Sequence, residues 1–217
     1  MQPMRPVIPM APMWPSLPAP PAPSPETSRR PPWRVPSEAR CVALWDRFEM
    51  PEHIRAHSAK VALVACQVAE AGKALGISVC VETVRASALL HDIAKAYCIK
   101  HGGHHGQLGG AWAMAATGNP VLAMGVIHHM YWPFKADLRR FLTPLAVLYG
   151  DKRVAHDQIV PIEHRFDDLL ERYGKTQEIR ERIASTNKQA KDIENALSKL
   201  LEKDLNAHDF DRRRLVD

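Results

Sequence analysis

The 217-residue chain predicts an all-α helical bundle, flanked by a disordered Pro-rich N-terminal arm and a long C-terminal helix. Three observations predict it. Apolar residues recur at three- and four-residue spacing through most of residues 37–206. No stretch alternates with period two between turn signals. Thirteen of the 18 prolines fall within residues 1–36, where missing backbone donors and polyproline II geometry leave an extended, unpacked arm. The expected organisation is therefore an arm at 1–36, a helical domain at 37–174, and a C-terminal helix with its tail at 175–217.

The elements follow in order. Ser37 is a good N-cap and opens a helix through Phe48, with Val42, Leu44 and Trp45 available for burial. Pro51 suits the first turn of a second helix. Its apolar stripe runs Ile54, Val61, Val64, Val68 and Leu75, and His57 falls on the same face. A third helix over about 81–96 presents Val84, Ala88 and His91. A Gly/His-rich loop follows at 101–106. Helices at about 105–117 and 120–130 flank Gly118-Asn119-Pro120, and two more run from Pro144 to Val154 and from Pro161 to Tyr173. The segment 176–206 carries Ile179, Ile183, Thr186, Ala190, Ile193, Leu197 and Leu200 in steps of three and four, with a weak middle. It predicts a helix packed back on the domain; a dimerising pair of such helices, and hence a homodimer, is the alternative.

Composition excludes several classes. No apolar run reaches the ~18–20 residues of a membrane span, and the prolines of the first twenty residues prevent a secretory helix. The formal charge of +5 is concentrated outside the domain: residues 1–36 hold four Arg and one Glu, whereas residues 37–174 hold 15 basic and 14 acidic residues. A mixed solvated surface, and not a nucleic-acid footprint, is the expectation. Cys41, Cys66, Cys80 and Cys98 form no CxxC pair, which predicts free buried thiols in a reducing compartment and a cytoplasmic protein.

Eleven histidines carry the chemistry. His91-Asp92 follows the apolar Ala88-Leu89-Leu90, and a buried His-Asp doublet is costly unless both groups are paired or bind a cation. His57 lies on the inward face of an earlier helix, and Asp151 follows the apolar Leu145-Ala146-Val147-Leu148 of a later one. One ligand set from several helices can converge in a bundle core, and imidazole mixed with carboxylate suits Fe, Mn or another first-row divalent metal.

At these residues the sequence resembles a family. His57 in Arg55-Ala56-His57-Ser58, the run His91-Asp92-Ile93-Ala94-Lys95, and Asp151 in Leu148-Tyr149-Gly150-Asp151-Lys152 resemble the H…HD…D signature of HD-domain metal-dependent phosphohydrolases, over roughly residues 45–173. The resemblance implies an HD-domain helical bundle in which His57, His91, Asp92 and Asp151 bind one divalent metal. His105-Gly106-Gln107-Leu108-Gly109-Gly110 and His128-His129 are similar to the elements that supply a second metal in a binuclear subgroup. Alignment favours His129, and a one-residue slip would make it His128. By the same resemblance Asp92 bridges the two ions, and the substrate is a nucleotide or another phosphorylated small molecule, such as a dinucleoside polyphosphate.

Two metals together can acidify a water and clamp a phosphoryl oxygen. Asp92 and Asp151 are then expected to hold the metals, Asp151 to orient the water, and Lys95, Lys152 and Arg153 to neutralise phosphate charge. Tyr131-Trp132-Pro133-Phe134 is the candidate pocket wall. His101 and His104 read as loop, His53 as a neighbour of the site or surface, and His156, His164 and His208 have no partner pattern. The competing functions are a di-iron oxygenase on the same ligand set and a non-enzymatic module that senses nucleotides or binds partners.

Overall fold

The computed structural model describes residues 33–211 and 215. The Pro-rich arm, up to residue 32, lies outside the described residues. Within them the chain is all-α apart from one small hairpin. Helix α1 (Glu38–Arg47) starts where Ser37 Oγ accepts a hydrogen bond from Arg40 N at 3.2 Å. It buries Cys41, Leu44 and Trp45, while Val42 turns outward. At 100° per residue Val42 stands about 200° from Leu44, so only one of the two can face the core.

Helix α2 (Glu52–Ala74) packs against α3 (Val81–Leu90) and α7 (Leu138–Lys152) and places Ile54, His57, Val61, Val64 and Val68 in the interior. Leu75, expected on that stripe, instead caps the helix and is 49% exposed. Helix α3 is shorter than its pattern predicts. It ends at Leu90, and residues 91–94 form a tightened turn before α4 (Lys95–His101). His91 N, Ile93 N and Lys95 N each bond the carbonyl three residues back. All four residues of that turn are buried.

Helices α5 (His105–Thr117) and α6 (Pro120–His128) form a close pair. Asn119 Oδ1 accepts from Val121 N and Leu122 N, and Pro120 occupies the first turn. The pair approaches closely because Gly110 has no side chain: a Cβ there would stand 2.2 Å from Ile127 Cγ1. Helix α7 begins six residues before the Pro144 start that the sequence predicts. Asp137 Oδ1 caps it through Arg139 N and Arg140 N, and the backbone then leaves helical geometry at Phe141 (φ −123°, ψ 35°). Pro144 has no N–H and would clash with the carbonyl of Arg140, so the break at Phe141 puts it in the first turn of a second helical segment. Later in α7, Gly150 lets the helix press on α2, since a Cβ would lie 2.9 Å from the Val61 carbonyl oxygen.

Strands β1 (Val154–Ala155) and β2 (Gln158–Ile159) pair antiparallel, a hairpin too short to be legible in the sequence. Helices α8 (Ile162–Tyr173) and α9 (Gln177–Leu201) complete the bundle. The α9 stripe lies on α7 and α8, with Ile183, Thr186, Ala190, Ile193 and Leu197 buried and Ile179 and Leu200 half-buried. Leu205, Phe210 and Leu215 extend the same core into the tail. No helix among the described residues is long and apolar enough to cross a membrane. All four cysteines are free; Cys41, Cys66 and Cys98 are buried, but Cys80, at the start of α3, is exposed. Burial pushes the thiols of Cys41 and Cys66 up to about 11, which keeps them protonated and inert.

Arg153, expected to meet substrate, instead ties the C-terminal part to α7. Its Nε donates to the Val160 carbonyl at 2.8 Å, and its Nη1 donates to Tyr149 Oη, the Leu205 carbonyl and Glu194 Oε1, the last at 3.1 Å. Arg153 stands two residues beyond Asp151, about 200° around the helix, so the two side chains face opposite ways. Breaking one side of a buried ion pair strands the other charge, so Glu194→Ala should cost about 3–5 kcal/mol in urea unfolding. Lys188→Ala, at an exposed pair with Asp192, should change stability by less than ~0.5 kcal/mol in the same measurement.

Candidate metal centre

Six side chains from five parts of the fold converge at one end of the bundle: His57 of α2, His91 and Asp92 of the turn after α3, His105 of α5, His129 just past α6, and Asp151 of α7. All six are buried. They form two groups whose ligand atoms lie within 4.8 Å of one another, His57–His91–Asp92 and Asp92–His105–His129. Asp92 is common to both. Asp151 Oδ1 joins the first group at 3.1 Å from His57 Nε2 and 3.8 Å from His91 Nε2.

The imidazoles are oriented by the backbone. His91 and His129 occupy the same local position, the residue that ends a helix, and each Nδ1 donates at 2.7 Å to the carbonyl three residues back, Ala88 and Val126 respectively. His57 Nδ1 donates at 2.8 Å to the carbonyl of His156, in the hairpin turn, where His156 has φ of 55°. A carbonyl oxygen can only accept, so each Nδ1 must carry the proton. In the neutral rings Nε2 is then a bare lone pair aimed inward. Such carbonyl-anchored imidazoles are the arrangement by which proteins present Nε2 to a metal.

Of those atoms His129 Nε2 has His105 Nε2 as a hydrogen-bond partner at 3.2 Å, whereas others are left facing acceptors. His91 Nε2 lies 3.4 Å from Asp92 Oδ2 and has no hydrogen-bond partner. Asp92 Oδ1 lies 3.2 Å from His105 Nε2 and 3.6 Å from His129 Nε2, again without a hydrogen-bond partner, and His105 Nδ1 is also buried and unpaired. Orphaned acceptors facing one another in a buried site are costly, and cations between them reverse the sign. The donor set therefore fits metal ions, and these buried His/Asp groups can hold them.

Charge is balanced by two lysines. Lys95 Nζ lies 2.6 Å from Asp92 Oδ2, and Lys152 Nζ lies 2.6 Å from Asp151 Oδ2 and 3.3 Å from the His129 carbonyl. Burial alone would raise both carboxyl groups, but Lys95 holds Asp92, and Lys152 holds Asp151, well below the usual carboxylate range. Burial pushes His57 down despite Asp151. It pushes His129 down to about 4, with Asp92 pulling the other way. His91 is also pushed down by burial, yet Asp92 and Asp151 carry it above its ordinary value.

His57, Asp92, His105, His129 and Asp151 of the cluster line a cavity of about 420 Å³. Lys95 and Lys152 line it, and Arg153 does not. His129 is the inward member of its doublet; His128 is turned against Trp132 and Phe134, with ring centroids 5.3 and 5.6 Å away. The expected wall at Tyr131–Phe134 is displaced, because Trp132 is itself core, packed on Phe134 and Phe141. Trp112 stacks on Phe48 at 4.4 Å. His104 caps α5 through Gln107 N, and His53 lines the cavity rim. Sequence reasoning missed the α8 wall, where Arg165, Leu169, Arg172 and Tyr173 face the cavity. Their spacing of four, three and one residues was the available signal. It also missed His156, whose backbone orients His57.

No family model, curated protein or solved structure matches the chain.

The anchored tautomer and the depressed value of His129 can be read directly. In chelator-treated protein, ¹⁵N spectra should show His129 protonated at Nδ1 and bare at Nε2 from pH 8 down to about pH 5. Because its folded value, about 4, lies below its unfolded value near 6.5, the stability it contributes is complete above pH 6.5 and is lost as pH falls toward 4. Protonation of Nε2 near pH 6.5 would contradict this.

Proposed function

We propose that the chain is a metal-dependent phosphohydrolase that acts on a nucleotide or a similar phosphorylated small molecule. The observation that carries the reading is the convergence of carbonyl-anchored imidazoles on two carboxylates, with Asp92 shared by both ligand groups. His57, His91, Asp92 and Asp151 would hold one ion, and Asp92, His105 and His129 a second. Imidazole with carboxylate and no thiolate suits iron, manganese or a related first-row metal. The resemblance to HD-domain hydrolases at these residues supports the same reading.

A divalent pair on such a site supplies a nucleophilic water at neutral pH and withdraws charge from a phosphoryl group. The chain's own residues supply position and electrostatics. Asp92 and Asp151 stay ionised because Lys95 and Lys152 stand against them. Lys152 is buried and also grips the His129 carbonyl, so its role is to hold Asp151 and the second group in register. Lys95 is the cation with freedom to serve substrate: its side chain is 33% exposed and lines the cavity. Low-dielectric walls strengthen such a contact with a phosphoryl oxygen.

The cavity favours a small molecule. Its volume of about 420 Å³ is that of a nucleotide-sized pocket. Ile54, Ile99, Leu169 and Tyr173 give it an apolar side where a base or sugar can lie.

Elemental analysis of the purified full-length protein, beside Asp92→Ala, tests the reading. About two equivalents of first-row metal should accompany the wild type and be lost in the variant, which keeps its helical circular dichroism. A panel of nucleotide substrates on the same samples should show metal-dependent phosphate release that is equal in air and under nitrogen, and that Asp92→Ala abolishes. No bound metal after reconstitution, or undiminished turnover in Asp92→Ala, would overturn it.

A further inference from the structure

We propose that Arg165, with Arg172 beside it, forms an anion-binding subsite on the α8 wall of the cavity. It would receive a phosphoryl oxyanion of the ligand other than the one held at the His/Asp cluster. The inference rests on the cavity being the substrate site, and it assigns to α8 the choice between ligands with one and with several phosphoryl groups.

The argument starts from unequal pairing. Each lysine at the cluster has a carboxylate of its own, Asp92 for Lys95 and Asp151 for Lys152. The two arginines of α8 share one. Arg165 Nη1 lies 3.1 Å from Asp168 Oδ2, Arg172 Nη2 bonds the same oxygen, and His156 Nε2 lies 3.7 Å from Asp168 Oδ1. One carboxylate thus faces two guanidinium groups, and the α8 face keeps an unmatched positive charge. The one carboxylate that lines the cavity outside the cluster among the described residues, Asp157, is exposed and accepts from Gln158 Nε2.

Arg165 is the more telling of the pair. It is only 7% exposed although it lines the cavity, and its Nε is buried with no hydrogen-bond partner. A buried guanidinium with an orphaned donor is destabilising unless something fills the missing partnership. Guanidinium presents a planar fork that matches two phosphoryl oxygens, which a compact ammonium does not. Arg172 sits at i+7 on the same face and is partly exposed at the rim, so it can close on the ligand from the solvent side. Leu169 lies between them on that face. A lone monophosphate at the cluster would leave this second cationic station unused; a diphosphate or polyphosphate would use both.

The test is calorimetric binding of inorganic pyrophosphate to full-length protein, both stripped with chelator and loaded with manganese, with metal content measured on the same samples. Arg165→Met should weaken pyrophosphate by about 10–100-fold, the loss expected for a charged hydrogen bond, while metal content stays at the wild-type level. Arg165→Lys should recover only part of that loss, and Arg172→Met, at the rim, should show a smaller loss in a protein that folds normally. Inorganic phosphate should be less sensitive than pyrophosphate to each change. Equal pyrophosphate affinity in wild type and in both methionine variants would overturn the subsite, and so would an affinity loss that merely follows lost metal. Absence of metal together with Arg165-dependent pyrophosphate binding would support the subsite while removing the hydrolase reading.

Discussion

The architecture depends on one recurring interaction, an imidazole Nδ1–H held by a backbone carbonyl. His91 and His129 each reach back to the carbonyl three residues earlier at a helix end, and His57 reaches across to the hairpin turn at His156. These bonds determine which nitrogen carries the proton, and so decide that the inward-facing atom is an acceptor. Without them the same residues could form an ordinary proton-linked His–Asp network. With them the interior holds lone pairs and carboxylate oxygens that cations can reconcile.

The rest of the bundle serves that constraint. His91 and His129 stand at helix C-termini, where a free carbonyl can hold a ring, whereas His57 lies within α2 and takes its carbonyl from the hairpin turn. The tightened turn at 91–94 holds His91 and Asp92 together in the interior. Gly110 and Gly150 remove the side chains that would otherwise hold α6 and α7 away from α5 and α2. Lys95 and Lys152 keep the two buried carboxylates ionised, and Arg153 fastens the far side of α7 to α9 and the tail. Consecutive residues Asp151, Lys152 and Arg153 thus serve the His/Asp cluster, its counter-charge and the core.

Much of this was legible from residue order alone. The stripe carrying His57, the apolar run before His91-Asp92 and the run before Asp151 each mark a polar group on a buried face, and burial of such groups demands a partner or a cation. Ser37, read as an N-cap, marked a helix start that the structure reproduces. The ends were less legible. The apolar pattern continues through 91–96 and hides the turn, since periodicity reports burial and not hydrogen-bond register. Pro144 marked a start, but a capping Asp137 and an irregular Phe141 allowed an extra turn before it. The role of Arg153 was misread because charge in sequence carries no direction; its angle on the helix places it in the core.

The sequence by itself determined that the chain is helical and that His57, His91, Asp92 and Asp151 lie on inward faces, because helical periodicity and the cost of burying charge are local properties. Only the tertiary structure decided that His129 and not His128 faces the cluster, that a hairpin carbonyl orients His57, and that α8 supplies a cationic wall in which Arg165 Nε has no hydrogen-bond partner. Those outcomes depend on where separate helices meet. Distances between side chains far apart in the chain are set by packing, of which local spacing carries no record.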